Sequence, residues 1–393
     1  MDAPAFCRWS LCVKLAVICD YSLRYTGGAQ TALMAQVRAW SQQFPVVLIA
    51  PDVPRTHLSG VTAVRPPRGV RSLELPVVRA NPVVHAWMRR TLKQHQAQAV
   101  MVHSEFGLAA SAVAQAKQLG LPSLHTVHTF FWRAPLIAQP FAPVARGFHR
   151  LVTGLEQPRV RLADRPLDSA LRGMTLALAR QADAVISPSA HQGERLRSAG
   201  LDNVSVVSNV AEVVPGERSL VPRTPLKLLW VGRFAPEKRL DVAIDAVRLA
   251  RRRGAHVELT VAGGEPPRGV NDPFIHFCGV VPHERVVDLI DDAHATLLTS
   301  CGFDNQPMVI LESAARGRPT LVCDPVLATE FGGAVVGSAG NTATDLADTI
   351  VACAQAPETI VRAGREAKLL ARESSPRAHV KNLQNVISRI NMS

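Results

Sequence analysis

Glycine, arginine and lysine stand close together in Gly232-Arg233-Phe234-Ala235-Pro236-Glu237-Lys238, and an acid-bearing tract follows from Leu297 to Pro325, LLTSCGFDNQPMVILESAARGRPTLVCDP. Glycine lets backbone approach a ligand closely. Arg233 can pair with phosphate oxygens through two parallel bonds, and Lys238, five residues on, can act as a point charge. Such a pair would stabilise the negative charge that grows on a departing diphosphate. In the second tract Asp304 and Asn305 are natural helix-capping residues, and Pro307 suits a first helical turn because its missing N–H is not needed there. A helix opening there, just past a strand, aims the N–H groups near Met308 and Val309 outward as an anion site. Glu312 follows Asp304 by eight positions. A phosphate does not sit between two acids, so these carboxylates suit hydroxyl donors instead. Hydroxyl acceptors next to a phosphate cradle describe a nucleotide sugar. An ordinary capped strand–turn–helix with solvated charges uses the same residues without a ligand.

Each of these tracts needs a strand before it and a helix after it, and the chain supplies that alternation throughout. Short apolar runs at Lys14–Cys19, Pro45–Ala50, Ala99–His103, Ala184–Pro188 and Val204–Val207 have the composition of buried strands, and Pro122–Val127 reads as a further strand. Gly27-Gly28-Ala29-Gln30 opens an amphipathic helix after the first run, without forming the Gly-x-Gly-x-x-Gly dinucleotide fingerprint. His128 stands just beyond the carboxyl end of a strand, where doubly wound folds place ligands; a structural histidine fits the same place. The pattern restarts at Lys227–Val231 and continues through Leu259–Ala262 into Gly263-Gly264, Ile275–Cys278 into Gly279, and Ala295–Ser300. Asp291-Asp292 falls inside a helical pattern and reads as solvated charge rather than a metal pair.

The 393 residues exceed one ordinary domain, and 47% apolar with 19% charged residues fits a globular chain with full cores. No apolar run reaches the roughly 18 to 20 residues of a membrane span. Residues 1–12 lack a signal-peptide layout and read as a disordered tail or a misplaced start. Seven cysteines scattered singly suggest reduced thiols in a cytosol. The net charge of +12 favours acidic partners, either anionic membrane or nucleic acid, while an arginine-favouring genome would produce it without either. Between Trp132 and Ala182 arginines interleave with aromatic and aliphatic residues; this suits an anionic membrane surface, and equally an extended lid packed inward.

The spacing of an acid, seven residues and Glu-Ser-Ala-Ala-x-Gly-x-Pro, from Asp304 to Pro319, together with Gly232-Arg233…Glu237-Lys238, resembles the signature of the family 4 (group 1) glycosyltransferases. The family usually has Glu followed by Gly-Phe-Gly where this chain has Asp304, Asn305, Gln306 and Pro307. The resemblance implies the GT-B fold: two doubly wound Rossmann-like α/β domains facing a cleft, with a C-terminal helix crossing back to the first domain. Boundaries are expected at 13–212 for an acceptor-binding domain, 213–226 for a linker, 227–372 for a nucleotide-sugar-binding domain and 373–393 for the returning helix. It implies retention of anomeric configuration by front-face displacement, with the nucleotide sugar as substrate and no tightly bound cofactor. Mg2+ could serve, but no motif requires it, and no metal site is expected.

By the same resemblance Gly27 and Gly28 help bind the acceptor and His128 contacts the transferred sugar near the reacting carbon. Arg233 and Lys238 hold the diphosphate, Asp304 a sugar hydroxyl and Glu312 the ribose hydroxyls. Gly232, Gly263, Gly279, Asn305, Met308 and Val309 complete the donor site. The acceptor is expected to be a lipid or a glycan, at the cytoplasmic face of a membrane. Two other readings remain: a GT-B-like protein that binds a nucleotide sugar without turnover, and a basic nucleic-acid binder, although no recognition motif accompanies the charge.

Overall fold

The computed structural model describes residues 13–23, 27–53, 58–67, 70–72, 75–131, 133–216 and 221–392. The tail expected over residues 1–12, and Trp132, lie outside the described residues. The chain forms two compact units. Unit 1 runs to Asn209 and takes back His379 onward; unit 2 spans Val210–Ala378.

Unit 1 begins with β1 (Leu15–Ile18), α1 (Gly28–Ser41), β2 (Val46–Ile49) and β3 (Val61–Val64). A small antiparallel pair, β4 (Val70–Ser72) and β5 (Leu75–Val77), precedes α2 (Pro82–Gln94). Then follow β6 (Ala99–Val102), α3 (Gly107–Leu119), β7 (Ser123–Thr126), a 3-10 turn over Leu136–Phe141, α4 (Ala142–Thr153), α5 (Pro166–Ala179), β8 (Ala184–Ser187), α6 (Ala190–Ser198) and β9 (Val204–Val206). Seven strands lie parallel in the order β3-β2-β1-β6-β7-β8-β9. The order reverses between β1 and β6, and the crevice outside the carboxyl ends of strands at such a reversal is where open α/β sheets bind ligands. β1, β2 and β6 are buried along their whole length, which explains their continuous apolar runs; β7 is equally buried but carries Ser123, His125 and Thr126.

Unit 2 repeats the plan. It contains β10 (Leu226–Val231), α7 (Leu240–Arg252), β11 (Val257–Ala262), β12 (Ile275–Phe277), α8 (His283–Asp292), β13 (Ala295–Leu298), α9 (Met308–Ala315), β14 (Thr320–Val322), α10 (Pro325–Phe331), β15 (Val335–Gly337), α11 (Ala343–Gln355) and α12 (Glu358–Glu373). The six strands are parallel in the order β12-β11-β10-β13-β14-β15, with the reversal between β10 and β13. Side chains alternate across β10: Leu228 and Trp230 pack in a core with Leu240, Ile244 and Val247 of α7, while Leu229 packs on the other face with Leu289 and Ile290 of α8. The apolar positions of α7 fall at the i, i+3, i+4, i+7 spacing that a single buried helix face requires. α13 (Pro376–Ile390) begins in unit 2 and continues into unit 1, where His379 bonds the Ser208 carbonyl at 2.7 Å through its Nδ1.

Over its described part, the proline-rich stretch expected as a linker is held by unit 2. Val213 is buried in a core with Ile310 and Leu311, and the Gly216 N–H donates to the Ala315 carbonyl at 2.9 Å. Residues 217–220 lie outside the described residues.

Candidate active site

In unit 2 the loops leaving β10 and β13 flank the strand-order reversal, and they carry most of the predicted donor residues. Three glycines join the carboxyl ends of β10, β11 and β12. The Gly232 N–H donates to the Ala262 carbonyl at 3.1 Å, and the Gly263 N–H donates to the Gly279 carbonyl at 2.8 Å. Gly263 has φ +137°, and a Cβ there would lie 1.9 Å from the Gly232 carbonyl oxygen. Glycine is therefore required by its neighbour strand, independently of any ligand.

The two cations differ in their setting. Arg233 has a 70% exposed side chain and reaches Glu237 only at 3.6 Å. Lys238 is far less exposed and donates to both oxygens of Asp304, at 2.7 and 2.9 Å, which leaves one of its three N–H bonds for another acceptor. Ser300 also donates to Asp304. The Trp230 indole N–H donates to the Thr299 hydroxyl at 3.0 Å, and that hydroxyl donates to the Lys238 carbonyl at 2.7 Å. This buried relay fixes the lysine loop to the loop after β13. Neither Thr299 nor Ser300 carried a sequence signal, because a hydroxyl after a strand has many uses.

α9 opens later than its composition suggests. Pro307, not Asp304 or Asn305, occupies the capping position and makes no side-chain cap. The reason is the competition just described: Asp304 is taken by Lys238 and Ser300, and Asn305 is buried. Met308 and Val309 form the first turn, whose N–H groups have no acceptor within their own helix. Glu312, with a 10% exposed side chain, meets His283 Nε2 at 3.1 Å, and this bond is the main cause that raises the His283 pKa. His283 was not anticipated; it opens α8, distant in sequence.

Asp291 corrects another expectation. Its carboxylate pairs with Arg316, so it is a structural ion pair rather than solvated charge; Asp292 is exposed. Among the described residues no group of three or more His, Cys, Asp or Glu is arranged to hold a metal ion.

Gly27, Gly28 and His128 belong to unit 1. Gly27 caps α1, and a Cβ on Gly28 would meet nothing within 4 Å among the described residues. His128, past the end of β7, shares a 2.8 Å hydrogen bond with His103, past the end of β6: its Nε2 faces His103 Nδ1, with the rings stacked at 5.1 Å. Burial pushes the His128 pKa down to about 4 and holds His103 well below its ordinary value, helped by the neighbouring histidines. A neutral pair can donate one hydrogen bond and accept another, which suits contact with a sugar better than proton abstraction. His103 was readable in the sequence: two histidines each following a strand meet when those strands are neighbours. At the β1–β6 reversal Asp20 accepts from the Ser104 hydroxyl at 2.7 Å and from the N–H groups of Leu108 and Ala109 at 2.8 and 3.1 Å, capping α3 from another strand.

Residues 26–213 match the family model described as Glycosyltransferase Family 4, and residues 225–356 match that described as Glycosyl transferases group 1. Glycogen synthase of Mycobacterium tuberculosis is 29% identical over 160 residues, 36% of this chain and 37% of that protein. The amylovoran biosynthesis glycosyltransferase AmsK of Erwinia amylovora is 28% identical over 111 residues, 25% of this chain and 27% of that protein. These matches span 37% and 27% of the relatives' own length. In solved structures, HepE of Anabaena in complex with UDP superposes with a TM-score of 0.65 at 14% identity, covering 96% of this chain and 100% of that one. Sucrose-phosphate synthase of Thermosynechococcus elongatus superposes with a TM-score of 0.66 at 14% identity, covering 96% and 99%. At that identity the likeness is one of fold, and the fold is GT-B.

Proposed function

This chain belongs to the group 1 glycosyltransferases, its first half of family 4 type, and from that premise we propose that it is a retaining hexosyltransferase using a nucleoside diphosphate sugar. The donor is of the GDP-mannose or UDP-glucose type, and the acceptor is lipid-linked or a glycan at the cytoplasmic face of a membrane. The observation that carries the reading is the pair of loops at the strand reversal of unit 2: Arg233 projecting, Lys238 held by Asp304, and the first turn of α9 following on the same loop as Asp304. In this reading Arg233 and the third N–H of Lys238 meet the diphosphate oxygens as the bond to the sugar breaks, which stabilises the leaving group electrostatically. Glu312 holds the ribose hydroxyls while His283 fixes its carboxylate, and Asp304 holds a sugar hydroxyl. His128 contacts the sugar near the reacting carbon, and Gly27 and Gly28 give the acceptor close access to backbone. Arg233 and Lys238 meet part of that charge, and the reading assigns no tightly bound cofactor; Mg2+ could serve, but no motif requires it.

No side chain among those described is assigned as a covalent nucleophile. Retention, taken from the family resemblance, then requires the acceptor oxygen to attack from the face the diphosphate leaves. That HepE was solved with UDP is in keeping with this donor class. The anomeric configuration of the product, read by proton NMR from an α-linked donor, tests the reading. An α-linked product is expected; a β-linked product would refute retention.

A further inference from the structure

The connection from β7 to β8 departs from a simple crossover, and its outer helix is left with apolar side chains that the fold does not use. α4 seats itself with Ala142, His149, Val152 and Thr153. His149 Nε2 bonds the Glu105 carbonyl at 2.9 Å, which sets the rotation of the helix. Away from that buried face, Val144, Phe148 and Leu151 are 65%, 41% and 56% exposed. Their spacing of four and three residues makes one stripe. The preceding 3-10 turn adds Leu136, Ile137 and Phe141, with 69%, 87% and 61% exposed. Monomeric proteins rarely leave so continuous an apolar patch in water without a use for it.

The charge around the stripe selects its occupant. Arg146 and Arg150 are exposed and form a row of their own on α4, across the helix from the stripe by the helical repeat. From Arg133 to Arg165 there are six arginines against two acids, Glu156 and Asp164. Those acids sit at the margin, Glu156 with Arg150 at 3.3 Å and Asp164 with Arg161 at 3.6 Å, all with exposed side chains. An apolar stripe on one side of a helix with arginines on the other is the arrangement of a helix that lies in a membrane interface, with carbon buried below the headgroups and guanidinium groups reaching the phosphates. We infer that the outer face of α4 and its leading 3-10 turn is a docking surface for an anionic phospholipid bilayer. This deepens the reading above and rests on it for the idea that the acceptor is carried by lipid; the docking itself does not depend on transfer.

Vesicle flotation of the full chain tests it, using phosphatidylcholine alone and phosphatidylcholine mixed with phosphatidylglycerol. The chain is expected to float with the mixed vesicles and not with phosphatidylcholine alone, and to be released by salt. Val144→Gln/Phe148→Gln/Leu151→Gln and Arg146→Glu/Arg159→Glu are each expected to weaken flotation about tenfold or more. Both variants should keep wild-type melting and wild-type binding of nucleoside diphosphate, so loss of docking is read separately from loss of the donor site. Flotation of the wild type with neither vesicle, equal flotation with both, or flotation of both variants at the wild-type level would overturn the inference. So would a dimer in light scattering that the triple variant dissociates, which would make the stripe a contact between copies of this chain.

Discussion

His103 and His128 share one hydrogen bond, so at most one of the two facing nitrogens carries a proton. The wider environment also disfavours protonation. His103, His125 and His379 are buried, and neither ring nitrogen of His125 meets a partner among the described residues. Burial pushes the His125 pKa down to about 3 and the His379 pKa down to about 4, from an ordinary 6.5. Between those values and 6.5 the unfolded chain binds protons that the folded chain does not. Stability is therefore full above about pH 6.5 and is lost as the pH falls toward 4, by up to about 1.4 kcal/mol per pH unit for each histidine. His125→Leu should be tolerated at neutral pH and should make the acid loss shallower by about one proton. Denaturant melts from pH 7 to 5 check this; an unchanged slope would show that His125 does not titrate on unfolding. His283 has the opposite sign: its raised pKa adds stability below its unfolded value that is lost as the pH rises through its folded one.

At the scale of elements, the strand-to-loop junctions of unit 2 are tighter than any binding role for their glycines requires. Gly263→Ala would press a methyl group onto the Gly232 carbonyl in a backbone conformation that L-residues avoid, and should cost about 2 kcal/mol or more. The loss should appear in thermal melting even without nucleotide; a variant as stable as the wild type would leave these glycines with a ligand role alone. These junctions also show what could be read from the chain. Continuous apolar runs such as Val46–Ile49 and Ala99–Val102 announce buried parallel strands, and glycines after strands announce close backbone approach. The capping position of α9 was not legible, since Lys238 competes for Asp304 from 66 residues away. The same holds for the Trp230–Thr299–Lys238 relay and the Glu312–His283 pair, which depend on strand order rather than on local spacing.

At the scale of the molecule, the chain leaves unit 1 near Asn209 and returns to it at His379, so its last helix completes the first unit rather than the second. Val380, Leu383, Val386 and Ile387 are buried there. Removing residues 376–393 should destabilise unit 1 by about 5 kcal/mol or more on burial alone, while unit 2 keeps its own sheet and cores. Differential scanning calorimetry should show one transition moving down and the other staying; a common shift of both would contradict the division. The helical character of this terminus is plain in the sequence, but the unit it joins follows from the resemblance and not from its composition. The membrane docking inferred above belongs to the same scale, because it draws on the net charge of +12, a property of the whole chain.

The central claim is transfer from a nucleoside diphosphate sugar with Arg233 meeting the leaving group. It is tested most directly by release of nucleoside diphosphate from GDP-mannose, UDP-glucose, UDP-galactose and UDP-N-acetylglucosamine, by the wild type and by Arg233→Ala. The account predicts release from one donor by the wild type and a loss of about a hundredfold or more in the variant. Full activity of Arg233→Ala would contradict it.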